Sequence, residues 1–142
     1  MAFAGINYWA VLAAAVAAWL VGAAYYMALA NPWMKAHGWT SKEAMLGPSG
    51  KPSPIPFVLA FVAELVMAWV LAGMIGHLGP GQVTLRNGII SGLFAWLGFV
   101  ATTLAVNNAY GRRTVSLTVI DAGHWLAVLL VQGAVIGAFG VR

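Results

Sequence analysis

Asp121 and His124 stand three positions apart in Ile120-Asp121-Ala122-Gly123-His124-Trp125, and Glu64 stands among apolar neighbours in Val62-Ala63-Glu64-Leu65-Val66. Residues three apart on a helix share one face. A carboxylate beside an imidazole favours the protonated ring and burial opposes it, so the Asp121–His124 pair can titrate near neutral pH, as a proton relay or ligand site must. Glu64 lies in the row Glu64, Ala68, Ala72, Gly76, a ridge of small residues that turns toward another helix, where it can bind a proton or an organic cation. The structural alternative is a neutral, hydrogen-bonded Glu64, or one partnered by His124. In that alternative Asp121 caps locally or pairs with Arg112 or Arg113, and His124 is an interhelical hydrogen-bond partner.

These groups matter because of what surrounds them. Of 142 residues 62% are hydrophobic and 7% are charged, whereas a soluble domain is about 25% charged. Four apolar runs reach the roughly 20 residues that cross a bilayer. The sequence therefore predicts an all-α, polytopic membrane protein forming a single transmembrane domain. Its four helices span about 7–29, 55–78, 86–108 and 115–139 in a compact bundle, with a loop at 30–54. Ionisable residues inside such spans are costly and mark functional sites by default. The net charge of +4 comes from seven scattered cations rather than a patch, which argues against nucleic acid and leaves the lipid bilayer as the first partner. Without cysteine there is no disulfide, thiolate or cysteine-held metal.

Ala28-Leu29-Ala30 has the look of a signal-peptidase site, but the preceding residues carry no basic n-region and the apolar run is long enough to span, so it reads as a retained first helix. In the 30–54 loop, Thr40 or Ser41 can cap a short surface helix with Glu43 in its first turn. Trp33 and Trp39 hold the loop against the membrane surface. Lys35, Lys42, Lys51, Arg112 and Arg113 fall on one side and Arg86 and Arg142 on the other. The positive-inside rule then places the loop side in the cytoplasm and both termini outside.

Rise along the helix sets depth. Glu64 and His124 each lie about 14 Å below the loop-side boundary and Asp121 about 9 Å below it. Thr102 and Thr103 reach a similar zone and Tyr26 lies nearer the surface, so one polar pocket can hold all six. Asn107 and Asn108 end the third helix beside Arg112 and Arg113, a C-terminal cap or a headgroup site. The rows Ala10, Ala14, Ala18, Gly22 and Gly133, Gly137 suit close packing, within the chain or between chains. Ala18–Asn31 and Ala95–Asn108 align at Ala18/Ala95, Trp19/Trp96, Leu20/Leu97, Ala24/Ala101, Ala28/Ala105 and Asn31/Asn108. A duplication would relate two helix pairs by a pseudo-twofold along the membrane normal, a 2+2 parallel repeat. His37 and His77 fall on opposite sides and cannot share a metal, and spacing gives His37 and His124 no support as haem ligands. With no nucleophile triad, HExxH or phosphate loop, neither a cofactor nor an enzyme is expected.

The chain resembles the bacterial domain of unknown function family 1761, small four-helix membrane proteins. The resemblance rests on Ile6-Asn7-Tyr8, Gly22-Ala23-Ala24-Tyr25-Tyr26, Trp33, Lys35, Asn107-x-x-Tyr110, the basic pair, and Ile120-Asp121-Ala122-Gly123-His124. It covers nearly the whole chain and implies the architecture without an activity. Its members often carry Trp in place of Tyr25 and Tyr in place of His124. Two functions remain. One is a non-catalytic accessory or assembly subunit, in a homo- or hetero-oligomer with other membrane chains. The other is a proton-linked small-molecule transporter or ligand-binding protein using Glu64, Asp121 and His124.

Overall fold

The structure, a computed structural model, describes residues 2–141, and its regular elements are all helical among those residues. Helix α1 runs Tyr8–Ala28 and starts at Asn7, whose side-chain oxygen accepts hydrogen bonds from the Trp9 and Ala10 amides. Short α2 (Ala30–Ala36) and α3 (Lys42–Leu46) fill the loop, α3 being capped by Ser41. Helix α4 is Ile55–Gly76, with proline in its first turn, where a missing N–H costs nothing. Thr84 and Thr114 cap α5 (Leu85–Ala95) and α7 (Val115–Phe139). Between α5 and α6 (Thr102–Tyr110) the helix widens into a π turn over Trp96–Ala101. The third apolar stretch is thus one rod, Leu85–Tyr110, interrupted at its middle. Trp96 anchors the interruption by donating its indole N–H to the Ala122 carbonyl at 2.8 Å.

Among the described residues, four helical stretches are long and apolar enough to cross a membrane: Tyr8–Ala28, Ile55–Gly76, Leu85–Tyr110 and Val115–Phe139. Helix α7 touches all of the others. It meets α5 almost backbone to backbone. A β-carbon on Gly88 would strike the Gly133 carbonyl, one on Gly133 the Gly88 carbonyl, and one on Gly137 the Thr84 carbonyl. In lipid, where apolar burial drives little helix association, such close approach maximises dispersion contact. On α1 the row Ala10, Ala14, Ala18, Gly22 is fully buried within the chain.

Away from the loop, the interior is apolar. Val11, Ala14, Ala15, Leu71, Ala72, Ile75, Leu129 and Ile136 form its core. There the leading residues fold over the end of α4: the Ala4 amide donates to the Gly76 carbonyl at 3.0 Å, and Phe3 lies against the His77 ring.

Candidate functional site

Helix α1 supplies a gap and helices α4 and α7 fill it. Gly22 is buried, and a β-carbon there would lie 2.6 Å from His124 Nε2 and 3.7 Å from Glu64 Oε1. The imidazole and the carboxylate therefore converge on one bare stretch of α1 backbone. Glu64 is 1% exposed and His124 6%. Yet no hydrogen bond joins them, and Glu64 Oε2 and His124 Nδ1 are buried without partners among the described residues. Buried polar atoms in native proteins are nearly always satisfied by protein or by ordered water.

Toward the loop, Tyr26 donates its hydroxyl hydrogen to Asp121 Oδ1 at 2.7 Å, while its ring lies 4.6 Å from that of His124. Tyr25 donates to the Ile120 carbonyl at 2.7 Å and its hydroxyl sits over Gly123, where a side chain would collide with it. Asp121 is thus held by α1. Neither Arg112 nor Arg113 bonds to it among the described residues.

A lid of aromatic rings covers this end. Trp33 packs on Tyr26 at 5.6 Å, His37 meets Trp33 at 4.5 Å, and His37 stacks on Trp39 at 4.2 Å with planes 7° apart. The α2 end is pinned where Thr114 donates to the Ala36 carbonyl at 2.9 Å. Two rings, Trp33 and Tyr26, connect His37 to His124, so the histidines do not face each other as paired ligands. Burial is the largest influence on His37 and pushes its pKa below the usual 6.5; Arg113 lowers it further and Asp121 opposes both.

Deeper in, Gln132 is fully buried and donates its amide to the Glu64 backbone carbonyl at 2.8 Å, leaving its Oε1 without a partner. Asp121, His124 and Gln132 thus lie along α7 with Glu64 facing them from α4. The polar line ends about two turns before the far end of α7, against Leu71, Ile75 and Ile136. Sequence reasoning passes over Gln132, though an amide within an apolar run is a signal of the same kind as Glu64.

Other candidates lie elsewhere. Thr102 and Thr103 are exposed, and each returns its hydroxyl to its own helix, at Gly98 and Phe99. This corrects their placement in the pocket. Depth along the helix is silent on which way a residue faces. At the interface, the Asn107 and Asn108 carbonyls accept from the Gly111 and Arg113 amides, with Arg112 left-handed at φ 54°, so backbone closes the helix end. The Asn108 amide donates to Thr118 at 3.0 Å, while Asn107, Arg112 and Arg113 are exposed.

No group of three or more metal-binding side chains occurs among the described residues. The family model described as "Protein of unknown function (DUF1761)" matches residues 9–137, and the chain belongs to that family. No curated protein and no solved structure matches the chain.

Proposed function

We propose that this chain is a non-catalytic integral membrane component whose working group is the Glu64–His124 pair, loaded with a proton from the loop side past Tyr26 and Asp121. The convergence of the two side chains on Gly22 carries this reading. An isolated charge in such surroundings is expensive, whereas a pair sharing one proton is net neutral whether the acid or the ring holds it. With the proton on Glu64 both groups are uncharged and with it on His124 they form an ion pair, which gives the pair a switchable dipole inside the membrane. The apolar core beyond Gln132 favours a one-sided binding site over a complete path through one chain. Transport would then require further chains.

Assembly with other membrane chains, identical or not, has its own support. Only 6% of the third span's apolar window is buried, against 33% for the first and fourth. The cations Lys35, Lys42, Lys51, Arg112 and Arg113 on the loop side support a cytoplasmic loop in a bacterial inner membrane. The 2+2 duplication is supported by its aligned tryptophans: Trp19 donates to the Phe57 carbonyl at 3.2 Å and Trp96 to Ala122, each reaching the next long helix.

Infrared difference spectra of the protein in phosphatidylcholine vesicles, taken across a pH step, test the shared proton. A carboxylic C=O band that vanishes in Glu64→Gln and shifts in His124→Phe is expected. A Glu64 band indifferent to the loss of the imidazole would overturn the reading.

A further inference from the structure

We propose that His37 is a pH-sensitive latch, holding the α2 turn and Trp39 over the Tyr26–Asp121 entrance when neutral and releasing them when protonated. This regulates the site described above and rests on its being loaded from the loop side.

Three features place His37 in this role. Its ring is clamped between Trp39, nearly parallel at 4.2 Å, and Trp33, edge-on at 4.5 Å. Its Nε2 is buried and unpartnered, so a proton added there brings a charge that nothing nearby accepts by hydrogen bond. Through Trp33 the clamp rests on Tyr26, whose hydroxyl is the donor to Asp121. Displacing His37 therefore loosens the cover over the first polar pair of the line. Beyond Trp39, helix α3 makes at most marginal contact with the other helices.

The charged groups that face His37 are Asp121 on α7 and Arg113 in the turn before it. Asp121 attracts an imidazolium and Arg113 repels it. Burial outweighs the attraction, so the held state prefers the neutral ring. Cation–π attraction from Trp39 acts the other way. The linkage sign follows. The held state is fully favoured above the free imidazole's 6.5 and loses ground as pH falls below it, because the released ring binds the proton more readily. Each unit by which the held-state value lies below the free one shifts the ratio of released to held loops tenfold.

The chain has no cysteine, so a single Thr40→Cys carries a spin label without background. In vesicles the label should be immobile at about pH 7.5 and increasingly mobile toward about pH 5, the range in which histidine titrates. His37→Phe should keep it immobile throughout, and His37→Gln should remove the pH response whatever its starting mobility. A label whose mobility ignores pH in the parent, or a pH response that survives both substitutions, overturns the latch. Adding Glu64→Gln should leave the response intact. A moving latch without the Glu64 infrared band would instead refute the proton site while keeping the switch.

Discussion

Tyr26 and Asp121, 95 residues apart, are joined by a 2.7 Å hydrogen bond that ties the loop end of the first span to the start of the last. The same phenol ring packs on His124, so one side chain both fixes the carboxylate and roofs the imidazole. Tyr26→Phe keeps the ring and removes the donor. We expect a loss of about 1–2 kcal/mol in reversible unfolding in mixed micelles, with the His124 environment little changed by NMR. An unchanged stability would mean that water replaces the phenol without cost.

Gly22 and Gly98 make a matched pair. Alanine at 22 puts a methyl 2.6 Å from His124 Nε2, forcing the ring to move and costing about 1–3 kcal/mol. Alanine at 98 meets nothing within 4 Å and should be neutral or gain up to about 1 kcal/mol from helix propensity. Opposite ranking in the same unfolding assay would show that the α1–α7 contact is looser than described.

The α5–α7 contact is less forgiving. Gly88 faces the Gly133 carbonyl with no side chain to yield, so Gly88→Ala must separate two backbones. It should be the most destabilising of the glycine-to-alanine changes here. Reversible unfolding in mixed micelles should rank it below Gly22→Ala, and an equal or smaller loss would mean that the two backbones part without cost.

Gln132→Leu removes the bond to the Glu64 carbonyl and, with it, an acceptor that has no partner. Replacing a half-satisfied amide by an apolar group of similar size should change stability by less than about 1 kcal/mol. A loss well beyond that would assign Oε1 a partner.

Much of this arrangement is legible in the sequence, and the limits are physical. Hydropathy marks four spans because a bilayer demands unbroken apolar length, and the Asp121–His124 spacing places both on one face of α7. Depth follows from rise alone, which is why Glu64 and His124 are found at one level. Azimuth does not. Thr102 and Thr103 have the right depth and face outward, and no pattern in either helix foretells that Tyr26 would reach Asp121. Gly22 reads as one more small residue in a packing row; only in three dimensions does it become the space that His124 occupies.

The π turn at Trp96–Ala101 has a consequence of its own. Such a turn is what one extra residue leaves behind when a helix absorbs it without breaking, and that residue rotates everything after it by about 100°. The two halves of the third span are therefore clocked separately: Gly88 and Gly92 keyed to α7, Asn108 keyed to Thr118. A chain one residue shorter at that place would keep the first engagement, lose the second, and turn a different face of its outer half to the lipid.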